Sequence, residues 1–418
     1  MRLRNVSEAE VIVIGAGPAG MATAIALGKA GVESIKVIER EREPGGIPRH
    51  AQHTGFGARD CHRVLNGPRY SQRYVDLLER SGAVLETETT VTGIDADRRL
   101  SVTGPGGRYH PTPRAVVLAS GCRERPRSAR LIAGSRPAGV MTTSTLQQLV
   151  YLRNRSTPGK ALIVGAEHVS FSAISTLAHG GGSAIALITE QPRHQSFAAF
   201  RLGAAVRYRT PVLTGTRLVS IAGKRIVESV ELEDLRSGKR RSMACDMVIF
   251  TGDWIPEFEL AAMAGCQFDP GTRGPRVDAS LRTSEPGVFC AGNILHGAEV
   301  ADVAALDGYH VADSVKNYLS GFGSWPEQVE IEVRAPLEWI APNLVAVDGR
   351  RPPRDRFLLR SKRYLRRPQI EVAQAGSAIY RKHLTRMVPN RSSNLPAAWI
   401  QRVRPGAGPV SVGIVDME

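Results

Sequence analysis

The stretch Val11-Ile-Val-Ile-Gly15-Ala-Gly17-Pro-Ala-Gly20 decides the fold of this chain. A short β-branched run leads into Gly-x-Gly-x-x-Gly, and the segment from Met21 to Ala30 has helical composition. Gly15 suits a tight turn, Gly17 lets a pyrophosphate approach the backbone, and Gly20 lets the helix pack on the strand. The helix N-terminus then offers unpaired N–H groups to phosphates. The pattern predicts a β–α–β dinucleotide-binding unit.

A second strand, predicted from Ser34 to Ile38, ends at Glu39, which comes 24 residues after Gly15. A carboxylate there can accept hydrogen bonds from ribose hydroxyls. The same strand, turn and helix account for the uncharged segment from Val11 to Gly28, so we expect no transmembrane segment. The acidic residues that follow the first four positions are unlike a signal peptide, and we expect a cytoplasmic protein.

The composition excludes several classes of protein. The 418 residues are 42% hydrophobic and 23% charged, which argues against disorder, a fibre or a polytopic membrane protein. The five cysteines lie far apart without a CxxC pair, so we expect no disulfide framework, dithiol redox centre or metal site. The formal charge of +15 is concentrated in residues 350–404, whose net charge is +13.

Two later segments repeat the pattern of an apolar strand that ends in small residues. Residues 114–121 end in Ala119-Ser120-Gly121, and residues 287–293 end in Gly292-Asn293. A long helix is predicted from about Val300 to Leu319. A strand that ends in Gly-Asn before a helix aims backbone N–H groups at a ligand.

Together these pieces resemble the FAD-binding half of flavoproteins with two dinucleotide-binding domains, the pyridine nucleotide-disulfide oxidoreductase type. The resemblance covers about residues 9–320 and implies an α/β fold with FAD as cofactor. The family's Gly-Asp dipeptide reads Gly292-Asn293 here, and the asparagine can still bond a ribityl hydroxyl. The cofactor contacts that the resemblance implies are Gly15, Gly17, Pro18, Ala19, Gly20, Glu39, Arg40, Gly46, Ile47, Arg49, Ala119, Ser120, Gly121, Gly292 and Asn293.

A second nucleotide fold is predicted between the FAD segments. Lys160 to Gly165 reads as a strand, Val169 to Ala178 as a helix and Ala184 to Thr189 as a strand, with Glu190 25 residues after Gly165. This spacing mirrors the first unit and predicts a repeated Rossmann-like architecture.

The phosphate loop of this second fold reads Gly165-Ala-Glu167-His-Val-Ser170. Glu167 takes the second glycine position, where a carboxylate would block the backbone and repel a pyrophosphate. We therefore predict that NAD(P)H binding is weakened or lost. A displaced nucleotide, or another nucleotide held for structure, stays open.

The segment Gly45-Gly-Ile-Pro-Arg-His50 stands where disulfide reductases lead into a redox CxxxxC. No cysteine follows until Cys61, which disfavours disulfide reduction. With residues 121–127 (GCRERPR) and 136–140 (RPAGV), the segment resembles a narrower subgroup. That subgroup includes the larger subunits of hydrogen cyanide synthase, opine oxidase and dye-linked proline dehydrogenase, and flavoproteins associated with glycerol-3-phosphate oxidation. Its members commonly work in hetero-oligomers, which implies an acidic or electron-transfer partner subunit, although this chain lacks their cysteine-rich module.

The resemblance places His50, His53 and His296 in loops near the flavin. A flavin dehydrogenase needs a base at the bond that it oxidises, and neutral histidine suits that task near pH 7. Arg49 could hold a substrate carboxylate as a bidentate pair. The alternative is that Arg49 and His50 bind FAD or a partner subunit, and most single histidines are structural.

We expect three domains. An FAD-binding domain takes residues 1–121 and 250–325, a second NAD(P)-like domain takes 122–249, and a small basic β-rich domain takes 326–418. The basic charge fits a solvated face, a docking face for an acidic partner, or contact with a membrane surface or nucleic acid. Nucleic acid is not the expected partner, because Phe357, Tyr364 and Tyr380 read as core positions of strands.

The sequence thus predicts an FAD-dependent oxidoreductase. The favoured activity is a dehydrogenase or oxidase component that takes a hydride from an amine, amino acid or hydroxy-acid. Its electrons would pass to a partner, a quinone or oxygen. The alternatives are an NAD(P)H-dependent flavin reductase, kept open by Glu190, and a nucleotide-binding assembly subunit whose partner carries the catalysis.

Overall fold

The computed structural model describes residues 9–321 and 325–416, and the chain divides into two compact units. The first unit takes the chain up to Arg49, Thr54–Arg123 and everything from Ile255 onward. The second takes His50–His53 and Glu124–Trp254. The chain passes between the units along the short strands Cys122–Glu124 and Trp254–Pro256.

Seven α-helices lie in the described ranges: α1 (Pro18–Lys29), α2 (Gly67–Glu79), α3 (Thr143–Gln147), α4 (His168–His179), α5 (Ala198–Arg207), α6 (Glu259–Met263) and α7 (Ala301–Leu319). A π-helical turn, Gln148–Leu152, continues α3. Among the described helices, none is long and apolar enough to span a membrane.

The first unit is built on a five-stranded parallel sheet. Its strands, in spatial order, are Val288–Cys290, Ala115–Leu118, Val11–Ile14, Ile35–Ile38 and Val84–Glu86. The strand Val11–Ile14 lies at its centre and is buried throughout, as expected for a parallel strand with both faces covered. The antiparallel strands Thr90–Ile94, Leu100–Gly104 and Gly107–Tyr109 form a separate small sheet, and Thr54–Phe56 pairs with Leu65–Asn66.

The helices α1 and α7 pack closely on this sheet, and a glycine permits the approach. A Cβ added at Gly308 would lie 2.1 Å from the carbonyl oxygen of Ala19 and 3.0 Å from the Cβ of Ala22. Any side chain at position 308 must therefore push the two helices apart.

We expect Gly308→Ala to lower the free energy of unfolding by at least about 2 kcal/mol, because overpacking against backbone cannot be relieved by a rotamer change. The matched control is Gly203→Ala in α5, where an added Cβ meets nothing within 4 Å. That change should stabilise the chain by up to about 1 kcal/mol, because alanine favours helix over glycine. Urea denaturation of both variants tests the contact, and equal effects would contradict it.

The second unit repeats the architecture. A parallel sheet orders the strands Val140–Thr142, Met247–Phe250, Gly159–Val164, Gly182–Thr189 and Val212–Thr214. The helix α4 follows the central strand as α1 follows Val11–Ile14 in the first unit. A four-stranded sheet completes the unit with Ala133–Gly134, Thr216–Ala222, Ser229–Asp234 and Arg240–Ala244. The predicted repeat of two Rossmann-like folds is confirmed.

The chain after Trp325 is rich in strands, as predicted. One sheet orders Leu344–Ala346, Gln328–Val333, Val410–Asp416, Gln369–Gln374 and Ser377–His383. A second orders Leu337–Ala341, Arg356–Ser361 and Ser393–Pro396, and Leu365–Arg366 pairs with Arg386–Met387. A hairpin turn between Gln369–Gln374 and Ser377–His383 lies at Ala375 and Gly376, both with positive φ.

These strands have their own hydrophobic cluster, in which the rings of Phe357 and Trp399 stack with centroids 4.7 Å apart. They nevertheless belong to the same compact unit as the first sheet. A separate domain over residues 326–418 therefore stays a prediction, as do the other domain boundaries.

Candidate functional site

The loop after the strand Val11–Ile14 has the geometry that phosphate binding requires. Gly15 has φ +105°, and a Cβ there would lie 2.6 Å from the carbonyl oxygen of Ala119. A Cβ at Gly20 would lie 1.9 Å from the carbonyl oxygen of Gly15. Gly17 caps α1 and differs from both, because a Cβ there would meet no atom of the described chain within 4 Å. The packing thus explains Gly15 and Gly20, whereas Gly17 opens onto free space at a helix N-terminus.

Glu39 ends the neighbouring strand and is 8% exposed. One of its carboxylate oxygens accepts a hydrogen bond from the backbone N–H of Ala16 at 2.8 Å, and the other from that of Glu41 at 2.9 Å. These bonds fix the carboxylate beside the glycine loop. Each oxygen keeps a lone pair for a ribose hydroxyl.

The segment that begins at Gly45 folds back over the glycine loop. The N–H of Gly45 donates to the carbonyl of Ala16 at 2.8 Å. A Cβ at Gly46 would lie 3.0 Å from the Cα of Gly17 and 3.5 Å from the Cδ of Pro18. Gly46 therefore lies close to Gly17 and Pro18, and cofactor binding by Gly46 and Ile47 stays a prediction.

The other two cofactor segments end on neighbouring strands. Ser120 donates a hydrogen bond to the carbonyl of Glu257 at 2.8 Å, and Gly121 has positive φ with open space at its Cβ position. Gly292 also has positive φ, and a Cβ there would lie 2.7 Å from the Cβ of Ala19. Parallel strands bring Ala119 and Gly292 to the same sheet edge as Gly15.

Asn293 uses its side chain within its own loop. Its Oδ1 accepts from the N–H of Glu299 at 2.9 Å, and its Nδ2 donates to the carbonyl of Glu299 at 3.1 Å. The amide therefore shapes the loop that leads into α7. A hydrogen bond from this amide to a ribityl hydroxyl stays a prediction, and Oδ1 retains one lone pair for it.

The start of α7 carries an ion pair that the sequence analysis missed. The buried carboxylate of Asp302 accepts from the backbone N–H of Arg59 and from its Nη1, both at 3.1 Å. An acid in the first turn suits the helix dipole. Because 243 residues separate Arg59 from Asp302, no local sequence motif could predict this ion pair.

The phosphate loop of the second unit has a backbone conformation like that of the first unit at the start of its helix. Its space, however, is occupied by a side chain. Glu167 caps α4 with φ −90° and ψ −177°, close to the −79° and −178° of Gly17 at the start of α1. Its carboxylate is 7% exposed and accepts a short hydrogen bond from the hydroxyl of Thr251. A Cβ at Gly165 or Gly252 would lie 2.7–2.8 Å from that carboxylate. The side chain therefore fills space that the first unit leaves open at Gly17.

A second buried carboxylate, Glu124, lies close enough to Glu167 for their charges to interact. Burial raises the pKa of Glu124 to about 7, and Ser144 N–H donates to it at 2.7 Å. The charges of Asp253, Glu167 and Glu124 favour the guanidinium form of Arg130, whereas burial lowers its pKa. Glu167 is therefore the carboxylate that opposes a pyrophosphate in the second loop, because Glu124 is partly protonated near pH 7 and Arg130 lies among these acids.

The pKa of Glu124 predicts a pH-dependent loss of stability. Its folded-state pKa lies above its ordinary value of 4.5, so the folded chain holds the proton more tightly and stability falls between pH 4.5 and about pH 7. Glu124→Gln removes this loss. The difference in unfolding free energy between variant and wild type should grow by up to about 3 kcal/mol from pH 5 to pH 8 in urea titrations. Glu190→Gln, at an exposed position, should show no such growth; a constant difference for Glu124→Gln would contradict the assignment.

Arg49 and Arg40 are engaged by acidic neighbours. The guanidinium of Arg49 donates to the carbonyl of Glu43 and lies 3.4 Å from the carboxylate of Glu41. Arg40 is exposed and lies 3.9 Å from Glu257. Glu41 and Glu43 thus partly compensate the charge of Arg49, and a role for Arg49 in binding a substrate carboxylate stays a prediction.

The three candidate histidines are placed very differently. His50 is 3% exposed, and its Nδ1 lies 3.3 Å from Oε1 of Gln147. His296 is 4% exposed, and its ring stacks on Trp339, with centroids 5.2 Å apart. Burial lowers the pKa of His296 to about 3. Only His53 of the three is exposed. A catalytic role for His296 stays a prediction, and the burial of its ring against Trp339 argues against it.

An intact glycine loop, an anchored Glu39 and an open space above Gly17 fit a dinucleotide cofactor. Two Rossmann-like folds in one chain, of which only the first has an open phosphate loop, are typical of a flavoprotein with two dinucleotide-binding folds, and FAD binding in the first of them stays a prediction. The chain belongs to the pyridine nucleotide-disulphide oxidoreductase family, which matches residues 9–308. Its members are FAD-dependent oxidoreductases, for which NAD(P) is secondary.

Two kinds of relative show the breadth of this family. The chain is 28% identical over 345 residues to an opine oxidase subunit of Agrobacterium tumefaciens, in a match that covers 73% of this chain and 66% of that protein. It is 24% identical to the soluble pyridine nucleotide transhydrogenase of Pseudomonas putida, over 76% of this chain and 72% of that one. The chain thus spans slightly less than two thirds of the opine oxidase subunit.

Solved structures agree with the fold. Thioredoxin reductase of Lactococcus lactis superposes with a TM-score of 0.62 at 18% identity, covering 75% of this chain and 99% of that one. The bacillithiol disulfide reductase of Bacillus cereus gives a TM-score of 0.61 at 17% identity. The predicted α/β fold with two Rossmann-like folds and a β-rich C-terminal region is confirmed.

Proposed function

We propose that this chain is the FAD-bearing component of a dehydrogenase or oxidase that acts on an amine, an amino acid or a hydroxy-acid. The observation that carries the proposal is the contrast between the two phosphate loops. The first is open at Gly17, whereas the second is filled by the buried carboxylate of Glu167. A chain that can hold FAD but cannot readily hold NAD(P)H needs another source of electrons, and a small-molecule substrate supplies them.

The cysteines support the same conclusion. All five lie within the described ranges as free thiols, and none occurs in the sequence between Gly45 and Asp60. Cys290 is fully buried, and burial raises its pKa well above the ordinary value. A thiol that stays protonated is a poor nucleophile. Disulfide reduction therefore lacks its redox pair in this chain.

FAD, when bound, would supply the hydride-accepting chemistry that oxidation of the substrate carbon requires. The residues of this chain hold the cofactor and take up the proton from the substrate nitrogen or oxygen. Glu39 would hold the ribose, and the N-terminus of α1 would hold the pyrophosphate. We assign the proton to His53, because His53 is exposed whereas His50 and His296 are buried.

The opine oxidase relative supports an opine or a related amino acid as substrate, and its being one subunit of that enzyme supports a partner chain as electron acceptor. The surface for such a partner would be the basic C-terminal region. Arg366 and Arg386 lie directly opposite each other on paired strands, where like charges are unfavourable unless an anion compensates them. An acidic partner would provide that compensation.

A dye-linked assay tests the proposed function. The FAD-loaded chain is incubated with an artificial electron acceptor and a panel of opines, amino acids, amines and hydroxy-acids. We expect dye reduction with one class of substrate and formation of one equivalent of the corresponding carbonyl product. His53→Gln should lower the rate by about 100-fold or more, as loss of a general base does. Dye reduction by NADH alone would favour the flavin reductase, which the transhydrogenase relative also suggests.

A further inference from the structure

Three buried side chains form a stack against the loop that follows Gly292-Asn293. Trp339 and Arg360 face each other on paired antiparallel strands, and the guanidinium carbon of Arg360 lies 4.8 Å from the centre of the Trp339 ring. The ring of His296 stacks on Trp339 with an interplanar angle of 13°. The tryptophan thus joins a loop of the FAD-type fold to an arginine of the C-terminal region.

The charge of Arg360 is buried and uncompensated. The residue is 7% exposed, and within the described part of the chain its Nη2 donates a hydrogen bond to the carbonyl of Ala298 at 3.4 Å. Its Nε is buried without a partner, and no carboxylate oxygen in residues 9–321 and 325–416 lies within 4 Å of it. Glu299 and Glu338 favour its charge from farther away. Burying an unpaired guanidinium is costly, because the charge loses its hydration and gains no partner.

The surroundings of Arg360 do not supply the missing anion. Arg354, which also has a buried Nε without a partner, lies 3.3 Å from the carboxylate of Asp307 and uses that acid itself. Burial disfavours the charged form of His296, whose pKa is lowered to about 3, so its ring adds no charge at neutral pH. Arg360 is therefore left as a positive charge beside a loop of the FAD-type fold.

We propose that Arg360 binds the carboxylate of a small-molecule ligand, and that the C-terminal region thereby completes the substrate site. The planar guanidinium has parallel N–H groups that match the two oxygens of a carboxylate, and its stacking on Trp339 fixes the plane of that fork. The guanidinium of Arg49 already forms ion pairs with Glu41 and Glu43 and is therefore less suited to pair bidentately with a ligand carboxylate. This inference rests on the proposed function for the identity of the ligand as a substrate.

The test uses pyruvate as the carboxylate probe and pyruvamide as its uncharged match. The dissociation constant of each is measured with the FAD-loaded full chain from the flavin difference spectrum and from the shift in melting temperature. We expect pyruvate to bind wild type, and pyruvamide to bind at least about 10-fold more weakly. Arg360→Gln should weaken pyruvate binding by about 10- to 100-fold, as loss of charge-assisted hydrogen bonds does. Arg225→Gln, an exposed position that loses the same charge and has no assigned role, should leave it unchanged.

Arg360→Lys keeps the charge and is the second variant if Arg360→Gln does not fold. Because lysine cannot pair bidentately, it should also weaken pyruvate binding, while its melting temperature without pyruvate stays near that of wild type. Equal pyruvate affinity in wild type and either Arg360 variant would overturn the proposal, as would equal affinity for pyruvamide or no pyruvate binding at all. The assay needs no turnover. Oxidation of an uncharged amine would refute this proposal and leave the proposed function intact. Arg360-dependent binding of pyruvate without oxidation of any substrate would support this proposal and contradict the proposed function.

Discussion

Gly17→Val should yield a folded chain that has lost its yellow colour. In the described structure an added Cβ at Gly17 meets nothing within 4 Å, so the substitution should not disturb the packing of α1 on its sheet. The branched side chain would stand in the space that the pyrophosphate needs. We expect FAD affinity to fall by at least about 100-fold, or roughly 3 kcal/mol. Absorbance near the flavin band and far-ultraviolet circular dichroism, measured on the same sample, test both halves of the expectation.

Two further glycine variants make this result specific. Gly20→Val should fail to fold, because its Cβ would lie 1.9 Å from the carbonyl oxygen of Gly15. Gly106→Val, at a position that is open in the structure, should fold and keep its flavin. A yellow Gly17→Val protein would show that the cofactor lies elsewhere and would remove the basis of the site described above.

Glu167→Gly should strengthen the binding of NADH to the second fold. The substitution removes a carboxylate from the second phosphate loop and restores the glycine that the first loop has at the same backbone geometry. Two like charges 4 Å apart repel by about 4 kcal/mol at the effective dielectric of a protein surface. We therefore expect NADH affinity to rise by at least about 10-fold, measured by the change in NADH fluorescence on binding.

Glu167→Gln separates the two causes of the block, because it removes the charge and keeps the bulk. If repulsion dominates, Gln will recover most of the gain that Gly shows, and if steric filling dominates, it will recover little. Both outcomes agree with a blocked loop. Tight NADH binding by the wild-type chain, unchanged in the glycine variant, would contradict it.

The backbone of both nucleotide folds could be predicted because the signals are local. The predicted strand and helix around Gly15–Gly20 appear as Val11–Ile14 and Pro18–Lys29, and the predicted helix from Val300 to Leu319 as Ala301–Leu319. A tight turn and a helix packed closely on a strand both require glycine for steric reasons, and these glycines lie close together in the sequence. The departure of Glu167 from the glycine motif could likewise be recognised from the local sequence.

The contacts of the C-terminal region could not be predicted from local sequence patterns. The sequence predicted that this region is rich in strands, but it predicted no strand over Leu337–Ala341, which Pro336 and Pro342 flank. That strand carries Trp339, so the stack with His296 and Arg360 was missed as well. Contacts between residues 296, 339 and 360 depend on how segments distant in the sequence pack together. The periodic pattern of the sequence does not predict such contacts. His296 was accordingly assigned to the flavin from its neighbours in the chain and not from its burial.

The most direct test of the account is the visible spectrum of the purified chain under anaerobic conditions, recorded while NADH and then a substrate from the dye-linked screen are added. We expect a flavin band that NADH leaves unchanged and that the substrate bleaches within the mixing time of a manual experiment. Rapid bleaching by NADH would contradict the blocked second loop and make the chain a pyridine-nucleotide-dependent reductase. A spectrum without a flavin band in the FAD-supplemented chain would contradict the cofactor assignment itself.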